Sequence, residues 1–310
     1  MANQTIITEF ILLGLSSDPQ LQVFLFLFFL IIFSVTLLGN ATIIVVIRME
    51  AGLQSPMFFF LSHLAFVDIC YSSVTLPKML ENFIAKNTTI SQRGCIAQIF
   101  FFFQSACAEV FILSAMAFDR YVAICDPLRY STIMKKTACR QLVGGSWSMG
   151  FLYAMVNALP LVNAQFCGNN KISHYSCELP SLLPLSCSDP LSNYVVLLIT
   201  VLVFGLSSFL LTLVSYIRII PTILKIRSGE GRSKAFSTCS SHLIVVCLFY
   251  SAAFFRYMKP SSESLIELDK VVSIQYSILT PLLNPIIYSL KNNEIKTALG
   301  KRFGNFRFLK

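Results

Sequence analysis

Long apolar runs, separated by short charged stretches, set the pattern of the chain. No charged residue occurs between Asp18 and Arg48, and positions 21–47 are almost all Leu, Phe, Ile and Val. A helix crossing a bilayer needs about 20 mostly apolar residues, so this run predicts a first membrane span. Further runs predict spans at about 57–80, 95–124, 141–162, 190–217, 235–255 and 271–290. The expected fold class is an all-α membrane protein, a seven-transmembrane helix bundle forming one domain over residues 1–310. After the last span, residues 292–303 set Ile295, Leu299 and Phe303 at i, i+4 and i+8, which predicts a short amphipathic helix at the membrane surface. The segment ahead of the first span lacks a basic leader and a small-residue cleavage site. The first span is therefore expected to serve as its own uncleaved anchor.

Composition agrees with this pattern. Of 310 residues, 55% are hydrophobic and 13% charged, whereas soluble domains carry about 25% charged residues. Soluble, disordered and small disulfide-stapled classes are thereby excluded. With the N-terminus outside, seventeen of the 24 Lys and Arg fall on the cytoplasmic side against five acids, and seven on the outer side against eight. That asymmetry is the positive-inside signal of a multi-pass plasma-membrane protein with a cytoplasmic C-terminus. It accounts for the basic excess without a nucleic-acid partner. Three Asn-x-Ser/Thr sites occur. Asn3 stands in the outer tail and is the expected glycan acceptor, Asn87 is close to the membrane, and Asn40 lies within a span as a chance match.

Ten cysteines divide by position. Cys70, Cys107 and Cys247 lie in spans, and Cys125, Cys139 and Cys239 lie toward the reducing side, where free thiols act as small apolar residues. Cys95, Cys167, Cys177 and Cys187 share the oxidising face; four cysteines allow three pairings and sequence does not choose among them. No zinc spacing is present.

Ionisable residues at bilayer depth cost at least about 2.5–3.5 kcal/mol and so need a reason. Asp68 and Glu109 are two such residues. Either each is protonated or hydrogen-bonded and fixes helix packing, or the two share a proton or a sodium ion. Asp119-Arg120-Tyr121 closes the third span, where Arg can reach the interface and can exchange its neighbouring acid for another partner. Asn284-Pro285-Ile286-Ile287-Tyr288 interrupts the backbone ladder of the seventh span, which Asn284 and water can repair.

These motifs, each at the inner end of its own helix, resemble those of rhodopsin-class G-protein-coupled receptors. Gly39-Asn40, Asp68, Cys95 placed 25 residues before Arg120, Trp147 and Tyr216 add to the likeness. Within that class the chain resembles an odorant receptor. The marks are Pro56-Met57-Phe58-Phe59-Phe60-Leu61, the run Met116–Cys125 through Asp119-Arg120-Tyr121, Ser215-Tyr216, Lys234-Ala235-Phe236-Ser237-Thr238-Cys239-Ser240-Ser241-His242 and Pro281-Leu282-Leu283-Asn284-Pro285. Phe58 and Phe118 stand where the family usually has Tyr, and Ser251 where it has Gly. The resemblance implies disulfides Cys95–Cys177 and Cys167–Cys187. It implies Asp119, Arg120, Tyr121, Tyr216, Asn284, Pro285 and Tyr288 as switch residues coupling to a stimulatory olfactory G protein and cAMP. No cofactor is expected beyond an allosteric sodium ion at Asp68 and Glu109. Membrane lipid and trafficking chaperones are expected partners.

Helical spacing puts Phe102, Phe103, Ala106, Cys107 and Val110 on one side of the third span, at positions matching the family's pocket. Thr200, Val201 and Phe204 join them from the fifth, Tyr250, Ala253, Phe254 and Tyr257 from the sixth, and Ile274, Ser277 and Ile278 from the seventh. None is charged. Phe102 occupies the place of an amine receptor's carboxylate, and Ile278 that of an opsin's retinal-binding Lys. A neutral apolar pocket with a few hydroxyls suits a small odorant. Catalysis is not expected, since His63, His174 and His242 are scattered and no His-Glu-x-x-His occurs. A channel or transporter is the rival reading, carried only by the two buried acids.

Overall fold

The computed structural model describes residues 7–85, 87–187, 189–258 and 266–303. Asn3 lies outside them, and the side chains of Tyr257 and Phe303 lie outside the described side chains. Seven long helices form the bundle: α1 (Pro19–Met49), α2 (Pro56–Ile84), α3 (Gln92–Cys125), α4 (Lys136–Val162), α5 (Leu191–Leu224), α6 (Gly229–Met258) and α7 (266–291). A short helix, α8 (Asn293–Phe303), follows. Six of these are long and apolar enough to cross a membrane. The fourth, α4, matches them in length but carries Gly144, Gly145, Ser146 and Ser148 within its run.

Local chemistry sets the helix starts. Asp18 caps α1 by accepting from the Gln20 amide at 2.9 Å, with Pro19 next. Ser91 caps α3 by accepting from the Gly94 amide at 3.1 Å. Several helices outrun the apolar stretches, α4 by about a turn at its start and α5 by nearly two at its end, because a helix continues past the hydrocarbon until its cap. Both α5 and α7 contain a π-helical turn, at Val201–Leu206 and Gln275–Leu279. Each inserts an extra residue per turn and so rotates the side chains beyond it.

Helix α3 is the centre of the bundle, packed by α2, α4, α5 and α6. Lipid-facing apolar side chains line α1 (Phe24, Leu27, Ile31) and α5 (Val203, Leu211, Val214), all of them exposed. Ile295 and Ala298 of α8 are buried against the end of the bundle.

The bundle end that carries the disulfides is the one the charge pattern is expected to place outside, and it is called the outer end. Here a small sheet forms that apolar patterning does not foretell. Strand β1 (Glu9–Leu12) sits between β2 (Thr89–Ser91), antiparallel, and β3 (Lys171–Ile172), parallel. Phe10 and Leu12 are fully buried beneath it. A loop segment covering a core must pair its backbone groups, and short strand pairing does so. The loop after α4 is pinned by Cys95–Cys177, with Cα atoms 5.3 Å apart, and closed on itself by Cys167–Cys187 at 5.2 Å. The Cys177 amide also donates to Gln98 Oε1 at 2.8 Å.

Candidate ligand chamber and switch residues

Beneath this roof an aromatic cluster occupies the outer half of the bundle. Phe102, Phe103 and Cys107 are buried, with Ala106, Val201 and Phe204 half-buried against the same cluster. Phe103 meets Tyr153 of α4 edge-on at 5.2 Å, and Tyr153 meets Phe204 at 5.5 Å. Phe102 packs on Tyr71 of α2 at 5.1 Å and on Tyr276 of α7 at 5.6 Å. Val110 is buried one turn further in. Below the rings lies a row of hydroxyls. Tyr250 and Ser208 are 2.8 Å apart, while Ser114 reaches Thr212 at 3.2 Å and donates to the Ser208 carbonyl at 3.0 Å. Thr200 is drawn to α4, where Asn157 Nδ2 donates to it at 3.1 Å.

Not every residue expected to line the chamber does so. Phe254 is 67% exposed and points away from the bundle, while Ala253 beside it is half-buried. Ile274 and Ile278 pack with Phe29, Leu76 and Met79, toward α1 and α2. Ser277 is buried but is taken up by the Ser273 carbonyl at 2.7 Å and the Tyr175 hydroxyl at 3.1 Å. Ile274 and Ile278, four residues apart, still share one face, the one toward α1 and α2, whereas Tyr276, which spacing overlooks, meets Phe102.

At the inner end, Asp119 is buried and accepts a hydrogen bond from Tyr130 at 2.8 Å. Tyr130 begins a short helix (Tyr130–Ile133) in the loop after α3. Burial and this acidic neighbour raise its phenol above the ordinary range. Arg120 is half-exposed and makes no ion pair among the described residues. Tyr216 of α5 and His242 of α6 lie 2.8 Å apart, and His242 Nε2 is 2.9 Å from the Leu113 carbonyl of α3. In that arrangement Nε2–H donates to Leu113 and Nδ1 accepts from Tyr216, which ties three helices through one ring.

Mid-bundle, Asn284 donates to both Asp68 oxygens at 3.0 Å. Asn40 donates to the Pro281 carbonyl at 3.0 Å, joining α1 to α7 where Pro285 interrupts the ladder. Among the described residues, Oδ1 of Asn284 and the Tyr288 hydroxyl are buried without a hydrogen-bond partner, and Glu109 is buried beside Asn284. Among the described residues, no group of three or more His, Cys, Asp or Glu is placed to hold a metal ion.

Sequence reasoning missed a further cluster near the outer end. Glu178 of the loop, Arg256 of α6 and Asp269 of α7 are all buried. Glu178 and Arg256 form an ion pair, and Arg256 Nη1 reaches Asp269 at 3.0 Å. Tyr175 beside them donates or accepts with Ser273 at 2.7 Å, and burial pushes its phenol up to about 12. The only signal in the sequence was charge next to Cys177 and at a span end, which counting for topology had absorbed.

A family model described as olfactory receptor matches residues 29–305. Olfactory receptor 8S1 of Homo sapiens is 52% identical over 96% of this chain and 82% of its own length. Olfactory receptor 5G9 of Mus musculus is 48% identical over 96% of this chain and 95% of its own. Olfactory receptor 5A1 of Homo sapiens shows the same identity and coverage.

Proposed function

The chain belongs to the olfactory receptor family, and from that premise we propose that it binds a small, mostly apolar, neutral odorant and answers by activating a stimulatory olfactory G protein, raising cAMP. It is a multi-pass membrane protein of the G-protein-coupled receptor class and not an enzyme. The observation that carries the ligand reading is the cluster of uncharged aromatic side chains Phe102, Phe103, Tyr153, Phe204 and Tyr276 under the roof. Apolar burial there supplies affinity at about 0.8 kcal/mol per CH₂. Tyr250 and Ser208 offer a hydroxyl pair that can orient one polar group of the ligand.

The mechanism is a population shift. Odorant stabilises a state in which the inner end of α6 moves outward, the His242 link to Tyr216 and Leu113 yields, and Arg120 becomes available to the G protein. The N-terminus faces outward in the plasma membrane, so the chamber opens to the odorant side and the basic inner loops meet the G protein. Glycan at Asn3, lipid and trafficking chaperones complete the setting.

Sodium fits the middle of the bundle. Asp68, Glu109, Asn284 and Tyr288 supply hard oxygen atoms, those of Asn284 and Tyr288 buried without a partner among the described residues. An ion held there would offset one of the two carboxylate charges in the resting state, leaving the other acid protonated or hydrogen-bonded. A channel reading finds less support, because Asp68 is engaged by Asn284.

The test is a panel of chemically diverse odorants against cAMP in cells that express the chain with trafficking helpers. At least one small apolar compound should raise cAMP in a saturable way. For that agonist, Phe103→Ala should raise the half-maximal concentration roughly tenfold, about 1.4 kcal/mol, as expected for losing two buried CH₂ equivalents. An unchanged dose response at normal surface level would move the ligand elsewhere.

A further inference from the structure

Between the outer loop and the ends of α6 and α7, Glu178 is held by more partners than any residue the receptor mechanism uses. It follows Cys177 directly, so the disulfide to α3 fixes its place. Its carboxylate pairs with the Arg256 guanidinium and accepts from Ser273 Oγ and from the Tyr276 hydroxyl at 3.2 Å. His174 Nε2 stands 3.6 Å away. Glu178, Arg256 and Asp269 are 3%, 8% and 7% exposed. A buried ion pair of this kind adds little net stability against a well-packed apolar substitute, but it fixes one arrangement against others.

The cluster is wired to the chamber through one side chain. Tyr276 meets Phe102 at 5.6 Å, offers its hydroxyl to Glu178, and lies under Arg256, whose guanidinium carbon is 5.9 Å from the ring centre. Displacement of that ring by a bound molecule therefore alters the hydrogen bonding of Glu178. Helix α6 is in turn tied at its outer end by Arg256, midway by Tyr250 to Ser208, and near its inner end by His242. Release of the outer tie lowers the cost of moving the helix, and with it the cost of breaking the His242 contacts at the inner end.

We propose that Glu178 is a positioning residue of the switch, a latch through which the disulfide-pinned loop holds the outer end of α6 at rest until a ligand moves Tyr276. The proposal rests on the receptor reading and names the link between chamber and helix motion. Because the ion pair belongs to the resting arrangement, weakening it shifts the population without any ligand.

Four variants test this: Glu178→Gln, which keeps shape and hydrogen bonding but not charge; Tyr276→Phe, which removes one hydroxyl; and Arg256→Lys beside Arg256→Gln. Ligand-independent cAMP per surface receptor should rise roughly five- to tenfold in Glu178→Gln, the low end of ordinary coupling. It should rise less in Tyr276→Phe, and less in Arg256→Lys than in Arg256→Gln. Hydrogen exchange on the purified chain gives a reading that needs no G protein. Backbone amides of the inner half of α6, around 237–246, should exchange faster in Glu178→Gln. Unchanged exchange and unchanged basal signal in both Glu178→Gln and Tyr276→Phe would overturn the latch, as would a lowered basal signal. Should Glu178→Gln fail to reach the surface, Tyr276→Phe decides. A wild-type chain that never raises cAMP would count against the receptor reading, and exchange would still judge the latch.

Discussion

Gly150→Val should prevent the protein from reaching the cell surface. Gly150 lies on α4 where that helix crosses α3 most closely. A Cβ at this position would sit 2.5 Å from the Gln104 carbonyl oxygen, 3.2 Å from the Ala108 amide and 3.4 Å from the Ala108 side chain. The first two contacts are backbone atoms of α3, so no rotamer change relieves them. Overpacking of a core typically costs about 1–3 kcal/mol, and here two helices must separate along the most extensive helix pair of the bundle. Small residues are what allow membrane helices to approach this closely. Gly145→Ala is the control, since a Cβ there meets nothing within 4 Å. It should leave surface level unchanged or raised, as Ala favours a helix by about 0.5–1 kcal/mol over Gly. Surface staining of intact cells reads both variants. Normal staining for Gly150→Val would mean that α3 and α4 pack differently.

Arg120→Ala should reach the surface and lose odorant-evoked cAMP almost completely. Arg120 is half-exposed at the inner end of α3 and is not locked to Asp119, whose carboxylate is engaged by Tyr130. It lies within electrostatic reach of both Tyr216 and Tyr288. These three side chains come from α3, α5 and α7, around the space that outward movement of α6 would open. Removing the guanidinium takes away a planar cation with five donors, which neither neighbouring tyrosine can replace. Folding should suffer little, because a half-exposed cation near the interface contributes little to packing. The measurement is agonist-evoked cAMP normalised to surface receptor, with a fall of about a hundredfold or more, on the scale of losing several charge-assisted hydrogen bonds. Normal signalling by Arg120→Ala would remove this residue from the switch.

The bundle was legible because bilayer thickness imposes a length and a composition on each span. Helix α1 shows it most clearly, apolar on nearly every face and still largely lipid-exposed. The aromatic centre was legible as far as regular helical stepping holds, which is why Phe102 and Phe103 fell into place from α3. In α7 spacing gives which residues share a face but not which way that face points: Ile274 and Ile278 pack toward α1 and α2, and Tyr276 meets Phe102. Exposed Phe254 failed for a different reason, since apolar character does not tell lipid from chamber.

The roof was the least legible part. Strand β1 is four residues long, too short to show alternation, and it pairs with segments about 80 and 160 positions away. Glu178, Arg256 and Asp269 are separated by up to 91 positions in sequence and were counted among outer charges. Only folding shows them to be buried together. The partner of Asp119 was likewise hidden, because Tyr130 reaches it from a short helix in the following loop rather than from a neighbouring turn.

Ligand-stimulated nucleotide exchange by the purified chain, in lipid vesicles with a stimulatory olfactory G protein, is the most direct measure of receptor function. A saturable increase in exchange is expected with an odorant identified in the cell panel. That increase should be lost in Arg120→Ala and shifted to higher concentration in Phe103→Ala. Ion flux across the same vesicles without G protein, and no odorant-dependent exchange, would contradict it.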